Sequence, residues 1–219
     1  MTKKKIPYGI SNFEKLIYDN YYFVDKTKYI EVIENLNEPN LFFLRPRKFG
    51  KSLFISVLQY YYGFEHKEKF EKLFGDFYIG KNPTPGAGSY YILNFDFSGI
   101  ETQNPETTYT GFFSKVRNSI SVFLQIYKLF TDKVNQEILQ QNRPAEMLDA
   151  LFANIRLLPQ SRKVFILIDE YDHFTNELIS FRLSEFKDIV SGNGYVRKFF
   201  EIIKSGTGAG LVDRFFATG

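Results

Sequence analysis

The sequence predicts an α/β fold in which a mainly parallel sheet lies between two layers of helices. Three observations point there. A short apolar run, Leu41 to Leu44, breaks into a charged turn and then a helix-forming stretch. A second apolar run, Val164 to Ile168, is rich in β-branched and aromatic residues and too short for an ordinary helix, so it reads as a parallel strand buried on both faces. Long helix-period segments separate the two, as the crossovers of a parallel sheet require.

With 219 residues the chain is long enough to bury a sizeable core, and no obvious linker divides it. It reads as one domain over 1–219, with an opening segment and helix over 1–39 and the core over 40–219. Charged residues make up 24% and apolar residues 44%, a globular balance. There is no cysteine, which excludes a disulfide framework and any thiolate metal site. No apolar run reaches the length of a membrane span, and Lys3-Lys4-Lys5 is not followed by a signal-type apolar core, so the expected location is the cytoplasm. A net charge of +3 is too small to argue nucleic-acid binding by itself. The 25 Phe and 15 Tyr are scattered through helix and strand patterns, which reads as core rather than as stacking platforms for bases.

In chain order, Phe13 to Tyr18 predicts a helical turn, Tyr21 to Val24 a short strand, and Asp25 the N-cap of a helix over Lys26 to Leu36. Asn37 to Asn40 is a turn into the strand Leu41 to Leu44. The helix after the charged turn continues over Leu53 to Tyr62, and Glu65 to Lys72 is charged and helical in character. Lys81 to Gly88 is a loop. Tyr90 to Phe97 is a strand whose later residues alternate, so one face is expected to meet solvent or a polar cleft, with Asp96 and Ser98 near its end.

Pro105 to Phe130 predicts a long helix with Phe112, Phe113, Val116, Ile120, Phe123 and Ile126 at helical spacing. Further helices are expected over Asp132 to Gln140 and over Pro144 to Leu157, where proline suits the first turn. After the central strand, Phe174 to Val190 reads as mixed helix and loop, Ser191 to Gly194 as a break, and Tyr195 to Lys204 as a basic amphipathic helix. Ser205 to Gly210 reads as a flexible turn, because a glycine-rich loop between helix and strand has the wrong order for cradling phosphate. Leu211 to Thr218 is the last strand.

The chemistry concentrates in two places. Arg45-Pro46-Arg47-Lys48-Phe49-Gly50-Lys51-Ser52-Leu53 has the strand, loop and helix setting of a phosphate-binding loop, in which backbone N–H groups and a helix N-terminus face phosphate oxygens. Lysine then reaches the β and γ phosphates and a hydroxyl binds Mg²⁺. In the pattern G-x-x-x-x-G-K-[ST] the first glycine falls on Arg45. Gly-Lys-Ser at a helix start is also ordinary capping, so the decision rests on the second place. There Asp169 and Glu170 follow the buried strand at its C-terminal end, where open α/β sheets bind ligands. Asp169 suits an Mg²⁺ ligand beside Ser52, and Glu170 a group that polarises the attacking water. A solvated acidic turn is the plainer account of the pair taken alone.

These blocks resemble the bacterial AAA-ATPase-like family of P-loop ATPases. The resemblance is carried by Pro7-Tyr8-Gly9-Ile10-Ser11-Asn12-Phe13, Tyr22-Phe23-Val24-Asp25-Lys26-Thr27, Arg45 to Leu53, Ile168-Asp169-Glu170-Tyr171-Asp172 and Arg214-Phe215-Phe216-Ala217-Thr218-Gly219, in order over nearly the whole chain. It implies the P-loop NTPase-type three-layer sandwich of the AAA/ASCE kind, with ATP and Mg²⁺ as ligands. In the family an arginine at the first loop position is usual, whereas Lys48 replaces a frequent arginine and His173-Phe174 a frequent proline-containing continuation.

The resemblance makes Asp25-Lys26-Thr27 a signature, for which capping and a surface lysine compete with nucleotide contact. Thr218 is expected near the γ-phosphate as a polar sensor. The implied catalytic residues are Lys51 and Glu170, and the implied nucleotide contacts run from Arg45 through Leu53 with Asp169 and Thr218. Arg45, Arg47 and Lys48 add charge at the mouth, as phosphate steering or, for one of them, as an arginine finger in cis. Family members usually continue into a PD-(D/E)XK nuclease-like domain, and the chain is expected to be the N-terminal part of a longer protein.

The expected function is Mg²⁺-dependent binding and hydrolysis of ATP. Two other readings stay open: a nucleotide sensor with little turnover, and a nucleic-acid-binding module using Tyr195 to Lys204 and the Lys3 to Lys5 arm. A nuclease centre within the chain finds no support, since His66 and His173 lack ligand spacing with other candidates.

Overall fold

The computed structural model describes residues 4–219. At its centre is a four-stranded, all-parallel sheet in the order β1-β4-β3-β2, with β1 over Asn40–Phe43, β2 over Tyr91–Asp96, β3 over Val164–Asp169 and β4 over Val212–Thr218. The strand expected to be central is central. β3 pairs with β2 on one side and β4 on the other, and Val164 to Ile168 are all buried.

Alternation along the strands divides the core into two layers, because successive side chains leave opposite faces of a sheet. Val164, Ile166 and Ile168 join Leu93, Phe95, Phe215 and Ala217 on one face. Phe165 and Leu167 join Ile92 and Phe216 on the other. The first face is covered by α6 (Pro105–Tyr127), α8 (Pro144–Arg156) and α11 (Tyr195–Gly208), with α7 (Asp132–Leu139), α9 (His173–Phe181) and α10 (Leu183–Val190) around them. The second face is covered by α3 (Lys51–Tyr62) together with α1 (Phe13–Tyr18), α2 (Lys28–Asn35), α4 (Phe70–Phe74) and α5 (Tyr78–Lys81). The result is the expected α/β three-layer sandwich of P-loop NTPase type.

Local chemistry explains most boundaries. α6 starts at Pro105 behind Asn104, whose side chain accepts from the Thr107 amide while the Thr107 hydroxyl accepts from the Asn104 amide, a reciprocal cap. α7 is capped by Thr131 and α8 opens on Pro144. Along α6, Phe112, Val116, Ile120 and Phe123 are buried as the spacing predicts, whereas Ile126 is exposed beyond the edge of the stripe.

Several local expectations are corrected. Tyr21 makes only an isolated bridge to Lys5, so Tyr21 to Val24 is not a strand. Glu65 to Lys72 divides into a 3₁₀ segment, Phe64–Lys69, followed by α4. Ser205 to Gly208 is not a turn but the last turn of α11. Gly206 is buried there, where a Cβ would stand 2.9 Å from both Phe152 and Val212, so glycine is present for close packing rather than flexibility. The alternation in β2 exposes only its end: Ile92 is buried, Asn94 half-buried and Asp96 exposed.

Candidate nucleotide site

β1, β4 and β3 all run the same way, and their C-terminal ends form one edge. Phe43 is in register with Thr218 across β1 and β4, and Ile168 with Ala217 across β4 and β3. The turn after β1 and the acids after β3 therefore leave the sheet at the same edge, one strand apart.

The turn after β1 is shaped by two left-handed residues, Lys48 at φ 69° and Gly50 at φ 80°. Gly50 pays little for that conformation, while a lysine there is uncommon. Turns of this kind direct consecutive backbone N–H groups into an anion-binding concavity. Gly50 is the N-cap of α3 and supplies no side-chain hydrogen bond, so the first amides of this 12-residue helix are left for another acceptor.

Lys51, in the first helical turn, is only 7% exposed. Its amine donates to the Arg45 backbone carbonyl at 2.8 Å, closing the turn over its own first residue. The Arg45 amide in turn donates to the Gly219 carbonyl beyond β4 at 3.3 Å. The Arg45 guanidinium donates to the Leu44 carbonyl and lies 5.1 Å from the Phe43 ring centroid. Pro46, Arg47, Lys48 and Phe49 form the outer wall, all exposed, and Leu53 packs on the α3-side core.

Across the edge, the Thr218 hydroxyl donates to Asp169 Oδ1 at 2.5 Å, and the Glu170 amide donates to the same oxygen at 3.2 Å. Thr218 is fully buried. Among the described residues no protein donor reaches the second Asp169 oxygen. Glu170 has φ 53°, a left-handed conformation that turns the chain sharply after β3. Tyr171 then donates its amide to the Thr218 carbonyl and packs edge-on against Phe42, which ties the acidic turn back to β4 and β1.

Thus Lys51, Ser52, Asp169, Glu170 and Thr218 are gathered at one edge. Asp96 is the in-register neighbour of Asp169 across β2 and β3, but its exposed carboxylate is engaged elsewhere: Ser98 donates its amide to Asp96 Oδ1, and Lys115 stands 3.9 Å from Asp96. The direct bond from Thr218 to Asp169 is what sequence reasoning missed, since it placed Thr218 only near a phosphate.

The donor set also suits a magnesium ion. Mg²⁺ takes one or two protein oxygens and completes its shell with water and phosphate. Among the described residues no group of three or more His, Cys, Asp or Glu side chains could hold a metal by itself. The Ser52 hydroxyl and the open Asp169 oxygen are hard donors of the right type.

The Asp25-Lys26-Thr27 signature has a different place. Asp25 does not cap α2, whose N-cap is Thr27. Its Oδ1 accepts from the Thr27 amide and hydroxyl, and its Oδ2 from the Tyr78 amide at the start of α5. Burial pushes the Asp25 carboxyl up, but these bonds outweigh it and hold it below the usual range. Thr27, fully buried, accepts from the Ile79 amide. Two of the three signature residues therefore fasten α2 to α5.

Comparison with known proteins decides the family. The profile described as AAA-ATPase-like, predicted AAA-ATPase, matches residues 7–219. The chain belongs to this family. An AAA-ATPase-like chain is what the loop and acids lead one to expect, and the match spans both. A protein of Azotobacter chroococcum mcd 1, described as an uncharacterized protein in the vnfD 5′ region, is 47% identical over 60 residues, which is 26% of this chain and 11% of that protein. The AAA-ATPase-like chain thus aligns with about a tenth of that relative's length. No solved structure matches it. Among the described residues, no helix is long and apolar enough to cross a membrane.

Proposed function

We propose that residues 1–219 act as one P-loop ATPase-like domain that binds magnesium-bound ATP on Gly50, Lys51 and Ser52 and hydrolyses it. The observation that supports this reading is the meeting of the loop's lysine and the paired acids at one sheet edge, joined through Arg45, Gly219 and Thr218. The α3 amides receive phosphate oxygens. Lys51 turns its ammonium from the Arg45 carbonyl toward the β and γ phosphates. Ser52 and Asp169 would hold Mg²⁺, which would neutralise charge on the phosphates when bound. Thr218 fixes the rotamer of Asp169, so that one carboxylate oxygen is anchored and the other points into the site.

Glu170 accepts the proton of the attacking water. As the water oxygen bonds to the γ phosphorus, the bond to the bridging oxygen breaks and its electrons stay on the departing diphosphate. Arg45, Arg47 and Lys48 draw the anionic substrate toward the mouth. In the same reading, nucleotide state is passed to a PD-(D/E)XK nuclease-like domain, a partner that rests on family resemblance alone.

The test pairs two variants. Lys51→Ala abolishes MgATP binding measured by calorimetry, whereas Glu170→Gln keeps binding and loses phosphate release. ATP affinity retained by the lysine variant overturns the assignment. Phosphate release at background in a wild type that binds ATP would favour the sensor reading. The nucleic-acid reading draws less support, because Arg197 and Lys198 on α11 both pair with Glu201 and so spend much of that helix's basic face. Of the Lys3 to Lys5 arm, Lys3 lies outside the described residues, and Lys4 and Lys5 are exposed.

A further inference from the structure

Tyr171 and Asp172 complete the acidic run after β3, yet the function proposed above uses neither. Asp172 is occupied in starting α9, where its Oδ2 accepts from the Asn176 side chain at 2.7 Å. Tyr171 has no such task. We infer that Tyr171 is a positioning residue: packed against Phe42 and Gly219, its ring holds Glu170 in the left-handed turn from which the Glu170 carboxylate serves the attacking water. The inference rests on the function proposed above and assigns the support of one of its groups.

Glu170, at φ 53°, has a backbone conformation that a residue other than glycine keeps only where its surroundings hold it. Both of its neighbours are held, and by the same residue. Before it, Asp169 ends β3 and its Oδ1 accepts from the Thr218 hydroxyl at 2.5 Å. After it, the Tyr171 amide donates to the Thr218 carbonyl at 3.0 Å. Glu170 therefore spans two anchors on one residue of β4. Its own carbonyl accepts from the His173 amide at 3.2 Å, so the chain passes directly from this turn into α9.

The Tyr171 ring adds what one backbone bond does not. It reaches past β4 to β1, where it packs edge-on against Phe42 with centroids 5.4 Å apart and planes 66° apart. It also lies against the backbone of Gly219: a Cβ there would stand 2.7 Å from Tyr171 Cε1 and would collide with the Asp172 carboxylate as well. Glycine at 219 thus serves close approach, and the ring fits the space that it leaves. These contacts are made by the ring, not by the hydroxyl. Without them the Tyr171 anchor loosens, Glu170 returns to the negative φ that its residue type prefers, and its carboxylate moves with it, while Lys51 and the α3 amides stay in place.

Calorimetry of MgATP binding and single-turnover phosphate release in wild type, Tyr171→Ala, Tyr171→Phe and Gly219→Ala test this, with a thermal melt to show that each variant is folded. Tyr171→Ala should keep MgATP affinity within about twofold and lose about ten- to a hundredfold in phosphate release, the scale on which a displaced catalytic group acts. Tyr171→Phe keeps the ring and should stay within about threefold of wild type in both. Gly219→Ala displaces the ring without removing it, should share the alanine variant's pattern, and decides the matter where Tyr171→Ala does not fold. Added to Glu170→Gln, Tyr171→Ala should lower the residual release by less than about twofold, because the group it positions is already gone. Wild-type release in Tyr171→Ala or Gly219→Ala overturns the inference alone. So does a phenylalanine variant as slow as the alanine one, which assigns the work to the hydroxyl, and so does an undiminished further loss in the Glu170→Gln background. A parallel loss of MgATP affinity also overturns it, by showing general damage to the site. A wild type that binds MgATP and releases no phosphate overturns the proposed hydrolysis together with it.

Discussion

The buried hydroxyl of Thr218 donates to Asp169 Oδ1 at 2.5 Å, joining the end of β4 to the acid at the end of β3. A bond to a carboxylate contributes about 1.5–3 kcal/mol. Thr218→Val keeps the shape and removes the donor, so it should destabilise by about 1–3 kcal/mol in denaturant unfolding. Phosphate release should fall more than ATP affinity, because Asp169 loses its fixed rotamer while the loop is untouched. Thr218→Ser restores the donor and should recover most of both losses. A valine variant with unchanged turnover would show that the bond does not orient the acid.

The turn after β1 carries two left-handed residues of unlike cost. For Lys48, at φ 69°, the left-handed conformation costs roughly 1–2 kcal/mol, offset on replacement by the roughly 0.5–1 kcal/mol that glycine adds to the unfolded chain's freedom. Lys48→Gly should therefore leave stability equal or raise it by up to about 1.5 kcal/mol, and Gly50→Ala, where the same two effects have opposite signs, should lower it by up to about 1.5 kcal/mol although the added methyl meets no atom within 4 Å. Urea midpoints of the two variants check the contrast.

His66 gives a pH dependence. Burial, with the nearby Lys69 ammonium, pushes its pKa down to about 4, and the Glu14 carboxylate opposes this only in part. Both ring nitrogens are buried without a hydrogen-bond partner, and Glu65 stands 3.5 Å away. Because the unfolded chain binds this proton near pH 6.5 and the folded chain only near 4, stability from the neutral imidazole is complete above about 6.5 and is lost as pH falls toward 4. Burial raises the Glu65 pKa, an opposing contribution in acid. His66→Gln should flatten the stability profile between pH 6.5 and 4 by about 1–3 kcal/mol relative to wild type.

Gly206 and Gly208 make a matched pair at the end of α11. A Cβ at Gly206 meets Phe152 and Val212 at 2.9 Å, whereas one at Gly208 meets nothing within 4 Å. Overpacking costs typically about 1–3 kcal/mol and exceeds the roughly 1 kcal/mol that alanine gains over glycine in a helix. Gly206→Ala should lower the melting temperature by a few degrees, and Gly208→Ala should leave it equal or slightly higher. The opposite order would restore the flexible-turn reading of Ser205 to Gly210.

The parts of the fold legible in the sequence are those where one local rule dominates. Val164 to Ile168 could be placed as a central strand because only burial on both faces tolerates so unbroken an apolar run, and α6 because proline, its cap and its apolar stripe agree. That the lysine turn and the acids share one end of the sheet could be expected because each directly follows a strand and the strands of such a sheet run parallel. Asp25 misled because a capping residue has the same identity whichever helix it caps, and here one oxygen serves Thr27, just ahead of α2, while the other takes the Tyr78 amide, 53 positions away. Ser205 to Gly210 misled because glycine is used for freedom and for close approach alike, and only the neighbour across the gap decides. The left-handed backbone at Lys48 and Glu170 had no signal at all, since neither residue type favours it.

β4 lies between the strand that bears the lysine turn and the strand that bears the acids, so the two halves of the site are wired in series through it. Side chains on a strand alternate in direction, and a slip of β4 by a single residue would swing Thr218 to the opposite layer while moving the carbonyl that receives the Arg45 amide. The two braces therefore arrive together: until β4 seats in its correct alignment, neither the lysine turn nor the acid has its support.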